Sequence, residues 1–204
     1  MKNVIAILAV LSLVAFAGQI TLDLGPVQGT DADWLQYDDG SINWLTWGGV
    51  YRGVWFDATD FVPTATNCDI VQSEFWFYHH SSYPWDTSDV YLEVWDGAVS
   101  APTLQLDQTM VTALHYAPVY ATYATALVTA NNEFWAFANT EPSAGGWPSI
   151  MGDGTPGTHS FFSDDFIIWE PWGEMGDYFV RVEATVNSGA ALDNTTWGSL
   201  KATF

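Results

Sequence analysis

The segment Tyr178–Val186, YFVRVEATV, places Val180, Val182, Ala184 and Val186 on one side of an extended chain and Arg181, Glu183 and Thr185 on the other. Successive side chains of a β-strand point to opposite faces, so a period of two marks a strand with one buried face. The same period recurs along most of the sequence, and no stretch carries a convincing helical period. Strands are expected around Val50–Asp57, Cys68–Tyr78, Val90–Trp95, Leu104–Val111, Val119–Val128, Glu133–Ala138, Ser160–Trp169 and Trp197–Ala202. Turn formers separate them: Asp38-Asp39-Gly40, Asp96-Gly97, Asn131-Asn132 and the run Met151–Gly157. About ten short strands punctuated in this way predict an all-β protein, a single-domain antiparallel β-sandwich or jelly roll. A closed outer-membrane barrel would need a sustained apolar-out, polar-in alternation over ~10 residues per strand, which these strands lack.

The first residues have the layout of a secretory signal. Met1-Lys2-Asn3 carries a positive charge, Val4–Val14 is apolar apart from Ser12, and Ala15-Phe16-Ala17 is a small-x-small cleavage site. The apolar run falls short of the ~20 residues that cross a bilayer. Residues 1–17 are therefore expected to be a signal peptide, and the mature chain to be secreted or held at the cell surface without membrane insertion. Residues 18–33 form an N-terminal extension in which Ile20, Leu22 and Leu24 alternate with Thr21 and Asp23 before Gly25-Pro26 ends the run. Such a strand either opens its own sandwich or adds to the sheet of a neighbouring subunit. Residues 34–204 make up the sandwich domain.

Charge narrows the partners. Against 24 Asp plus Glu there are 4 Lys plus Arg, for a formal net charge of −20. Nucleic acids and anionic membrane surfaces need a basic patch that this chain does not have. Copies of itself with their charge screened, glycans, and Ca²⁺ are compatible with it. Cys68 is the sole cysteine, which excludes an intramolecular disulfide; it is either a buried thiol in a strand or half of an intermolecular bridge.

For catalysis, glycoside hydrolysis would need two carboxylates roughly 5 to 9 Å apart across a cleft. Glu93 shares a strand face with Tyr91 and Trp95, and its candidate partners are Glu170 and Glu183. No compact acidic signature is present, and the proline in Glu170-Pro-Trp-Gly-Glu174 reads as a turn. Adjacent His79-His80 would point to opposite faces of a strand, His115 and His159 stand alone, and no zinc or nucleophile-elbow motif occurs. No cofactor is required by any motif. Loop carboxylates supply the oxygen ligands that a structural Ca²⁺ prefers, namely Asp31, Asp33, Asp38, Asp39, Asp164 and Asp165, although none has EF-hand spacing. The alternative is that acidic loops simply keep the chain soluble. Asn194-Thr-Thr196 is an N-glycosylation sequon.

The aromatic content is high, with 12 Trp, 9 Tyr and 12 Phe, and the rings fall on both faces of several strands. In Glu74–Tyr78, Phe75 and Phe77 oppose Trp76 and Tyr78; in Val90–Trp95, Tyr91 and Trp95 share a face; Trp135 and Phe137 oppose Phe134 and Ala136. One face of each strand is the sandwich core. The other is either a second core layer beneath loops or an exposed platform for sugars or for another protein, formed by Trp76, Tyr78, Tyr91, Trp95 and Trp135. The strands also lack the lysines that commonly block edge-to-edge pairing.

Tyr37-Asp38-Asp39-Gly40, the run Val54-Trp-Phe56 before Phe61-Val-Pro63, Glu133-Phe-Trp135, Asp177-Tyr-Phe-Val-Arg-Val182 and the closing Trp197–Ala202 resemble a set of secreted bacterial surface domains. That resemblance implies a jelly-roll-like sandwich outside the cell and carries no catalytic residue. The leading expectation is a non-catalytic cell-surface protein that self-associates as a structural subunit of an extracellular filament or layer. A carbohydrate-binding module with an aromatic platform is the alternative, and a glycoside hydrolase the third.

Overall fold

The structure, a computed structural model, describes residues 33–45, 49–78, 88–143, 148–173 and 176–189. The expected signal peptide, the extension with Ile20, Leu22 and Leu24, Asp31, His79-His80, Asn194 and the strand expected at Trp197–Ala202 lie outside those residues.

Among the described residues there are twelve strands: β1 (Asp33–Leu35), β2 (Trp44–Leu45), β3 (Tyr51–Asp57), β4 (Ala65–Tyr78), β5 (Ser88–Asp96), β6 (Leu104–Ala113), β7 (Pro118–Val128), β8 (Glu133–Asn139), β9 (Ser149–Gly152), β10 (Ser160–Ser163), β11 (Glu170–Pro171) and β12 (Val180–Ser188). They form two antiparallel sheets. The first runs β1-β12-β4-β9-β2, with β7 added beside β4; the second runs β11-β10-β3-β8-β5-β6. The expected all-β sandwich is what the chain forms.

The two sheets face each other through the residues that the alternation selects. Val54 and Phe56 of β3, Phe134 and Ala136 of β8, and Val90, Leu92 and Val94 of β5 meet Ile70, Phe75 and Phe77 of β4 and Val180, Val182 and Ala184 of β12. All of these are at most 1 % exposed. Phe56 and Phe134, opposite each other in register, stack at 5.0 Å. Cys68 lies in this core with its thiol pushed up to about 12 by burial, so it is an inert core residue that cannot reach another chain while folded.

Turn chemistry closes the connections where the sequence places it. After Asp96-Gly97 the Thr103 amide donates to the Asp96 carbonyl at 2.7 Å, which starts β6. Between β7 and β8 the Asn131 side chain accepts from the Glu133 amide at 2.8 Å. Asp57 caps the 3₁₀ turn Ala58–Asp60 by accepting from the Thr59 amide. The strand expected over Ser160–Trp169 is shorter than its pattern suggests. It stops at Ser163, whose Oγ accepts from the Phe166 amide, and Asp165 Oδ1 then accepts from the Ile167 and Ile168 amides. Side-chain acceptors offered the backbone a turn in place of a ladder, and Phe166 enters the left-handed region at φ 64°.

Candidate functional site

The outward face of the second sheet carries an ordered array of large side chains, set by register. One row across the strands is Trp55–Trp135–Trp95–Gln105, the next is Gly53–Phe137–Glu93–Gln108, and the third is Tyr51–Asn139–Tyr91–Met110. Gly53 is required because a Cβ there would overlap the Phe137 side chain. Two connections fold back over the array. The 163–169 turn lays Phe166 at 4.9 Å from Trp95 and 5.1 Å from Tyr51, and Trp169 at 4.8 Å from Trp135. The Ala98 carbonyl accepts from Trp135 Nε1 at 3.0 Å. Trp135 and Phe137 thereby become a second core layer, while Tyr91 and Trp95 remain half-buried.

Glu93 stands in the middle of this array and is only 3 % exposed. Its carboxylate accepts from Trp95 Nε1 at 2.7 Å, Asn139 Nδ2 at 2.9 Å, Gln108 Nε2 at 3.0 Å and Gln105 Nε2 at 3.4 Å. Neither proposed carboxylate partner is beside it. Glu170 is four strands away in β11, about 19 Å at ~4.8 Å per strand, and is in register with Phe162 and Arg52, whose face is the opposite one. Glu183 points away from the core on the other sheet. The expected pair for glycoside hydrolysis is therefore not assembled from these residues.

The five rings expected to form one platform are likewise divided. Trp76 and Tyr78 lie on the outward face of the first sheet, on the far side of the sandwich from Tyr91, Trp95 and Trp135. Trp76 is 4 % exposed, packs with Met151 and Phe179, and donates Nε1 to Glu74 at 2.7 Å. Beside it is a buried charge cluster. Arg181 Nε donates to Asp38 at 2.9 Å, and its Nη1 stands 3.5 Å from Glu74. Burial still raises the Asp38 carboxyl above its ordinary value despite the guanidinium.

Of the expected calcium ligands, Asp38 and Asp39 come near Asp153, a loop carboxylate in the turn run Met151–Gly157, and near Asp177, which the sequence did not single out. Asp153 accepts from the Asp39 amide at 2.9 Å and from the Asp177 amide at 2.8 Å. Burial raises both carboxyls, that of Asp177 to about 6. Asp33 is exposed in β1, and Asp164 and Asp165 are exposed in the turn on the other sheet. Among the described residues no group of three or more His, Cys, Asp or Glu side chains is arranged to hold a metal ion.

A further constellation was not visible in the sequence. His159 is sandwiched between Tyr37, stacked at 3.5 Å, and Trp55 at 5.4 Å, and its Nε2 lies 3.2 Å from Asp60. The Tyr37 hydroxyl donates to the same carboxylate at 2.8 Å. Burial lowers the His159 pKa. The pieces come from β10's approach, the segment after β1, β3 and the 3₁₀ turn, and only the fold unites them. Chemically the group ties four segments together.

The chain matches no protein-family model, no curated protein and no solved structure. The class defined by fold and surface is thus an acidic, aromatic-rich, two-sheet β-sandwich.

Proposed function

We propose that this is a non-catalytic, secreted cell-surface protein that self-associates as a structural subunit of an extracellular filament or layer. The observation that carries the reading is one flank of the sandwich. Strands β6 and β7 follow each other in sequence, are 10 and 11 residues long, and among the described residues each has a ladder partner on one side only. Among the described residues, six of the nine large apolar side chains that stay exposed lie on them or in the turn between: Leu104, Met110, Leu114, Tyr116, Tyr120 and Val128. Across residues 104–128 the only acidic residue is Asp107, and there is no Lys or Arg. In a chain with a net charge of −20, this flank is the part that a second copy approaches at least electrostatic cost. Long edges with so little charge and no internal proline are what native sheets avoid unless pairing is intended.

The extension at residues 18–25 is a candidate for the strand that a neighbour donates to such an edge. Electron microscopy of the secreted chain at physiological salt tests the reading. Ordered polymers are expected; uniformly separate particles would remove its basis. If polymers form equally well after deletion of residues 18–25, association proceeds edge to edge and strand donation is wrong.

A further inference from the structure

The setting of Glu93 supports a second role, independent of the β6–β7 flank. An ionised carboxylate only accepts hydrogen bonds, so each amide that meets Glu93 must turn its NH₂ group inward. Gln105 and Gln108 are both exposed, and their bonds to Glu93 direct their carbonyl oxygens and remaining N–H groups away from it, along the outward face of β6. With four N–H donors already on its oxygens, Glu93 has little to offer a cation. It acts as the fixed point that orients a row of polar groups.

The rings complete the strip. Tyr91 and Trp95 flank Glu93 on the same face of β5, four residues apart, a separation of about 14 Å at ~3.4 Å per residue. Gln108 lies directly opposite Glu93, and Gln105 opposite Trp95. Apolar ring faces alternating with outward amides match a ligand that has apolar CH faces and many hydroxyls, and the spacing suits an oligomer better than a single ring. Asp89 stands at one end of the same strand, and the whole chain is strongly acidic, which disfavours an anionic ligand.

We propose that the outward strip of β5 and β6 binds an uncharged glycan chain, with Tyr91 and Trp95 as stacking surfaces, Gln105 and Gln108 as hydroxyl-reading amides, and Glu93 as a positioning residue that does not touch the sugar. The test is isothermal titration of the full chain with neutral β-1,3- and β-1,4-linked glucose oligosaccharides, and with polyuronate oligosaccharides as the charged comparison. Saturable binding of a neutral series without binding of the uronates is expected. Tyr91→Ala and Gln108→Ala should each weaken it about tenfold or more, equivalent to ~1.4 kcal/mol, with melting temperatures near that of the wild type. Glu93→Gln, which sets an NH₂ group among four donors, should abolish binding by protein that circular dichroism shows to be folded. Absence of binding to both neutral series overturns the proposal, as does equal binding of uronates or wild-type affinity in Tyr91→Ala and Gln108→Ala. Titration in the presence of Leu114→Lys, which lies on the flank and outside the strip, separates this site from assembly: binding should be unchanged.

Discussion

Replacing Asp177 by Asn should stabilise the protein at neutral pH and have no such effect in mild acid. Asp177 is 6 % exposed, accepts from Ser160 Oγ at 2.9 Å and has the acids Asp153 and Asp38 as neighbours. Gly157 packs so closely that a Cβ there would overlap the carboxylate. Burial foremost raises its pKa from 3.8 to about 6. The folded chain therefore holds this proton more tightly than the unfolded chain does. Protonation favours folding, so the stabilising contribution is complete below 3.8 and is lost as pH rises through 6. At pH 7 the ionised group is a cost: a shift of about two units at ~1.4 kcal/mol each, reduced for residual solvent screening, gives about 2 kcal/mol. Asn removes the charge and keeps an oxygen for the Ser160 hydroxyl. Urea unfolding followed by tryptophan fluorescence should show Asp177→Asn more stable than wild type by about 2 kcal/mol at pH 7, with the gain gone near pH 4. His159, whose pKa burial lowers, acts in the opposite sense below 6.5, so mutant minus wild type is the quantity to follow. A gain of equal size at both pH values, or a loss at pH 7, would refute the assignment of a raised pKa to this carboxyl.

Other consequences concern the core and the first sheet. Arg181→Met leaves Asp38 and Glu74 without their shared cation on the first sheet's outward face, and denaturant titration should show a loss of roughly 3 to 5 kcal/mol. Phe134→Ala opens a cavity opposite Phe56 in the centre of the sandwich and should cost about 3 to 5 kcal/mol by the same assay, with the far-ultraviolet spectrum retained. Cys68 should be unreactive toward a thiol reagent in the native protein and fully reactive in denaturant; rapid native labelling would show that its strand opens freely.

The strands were legible because alternation is a local property. Tyr91, Glu93 and Trp95 share a face in the structure as they do in the pattern, and Asp96-Gly97 and Asn131-Asn132 sit at strand ends where turn formers belong. What covers a face is not a local property. Trp135 has the same kind of pattern as Tyr91, yet it is fully buried because the 163–169 turn returns over it. That turn was itself hidden, since Ser160–Trp169 alternates well and only the acceptors on Ser163 and Asp165 end the strand early. Trp76 and Tyr91 share a side-chain type, but β4 and β5 belong to different sheets. Strand order and sheet membership, which no local pattern carries, separate Glu170 and Glu183 from Glu93. The Arg181–Asp38 pair joins residues 143 apart in sequence, and neither carries a local signal for the other.

The claim that matters most is that the flank formed by β6 and β7 joins copies of this chain. Sedimentation velocity of the chain beside a Leu114→Lys, Val128→Lys double variant addresses it directly, because both side chains are exposed, at 45 % and 58 %, and dispensable to the core. At about 0.15 M ionic strength, where the Debye length is ~8 Å, the wild type should sediment as a concentration-dependent series of larger species and the variant as a monomer. A wild type that stays monomeric at high concentration, or a variant that assembles just as readily, would contradict the account.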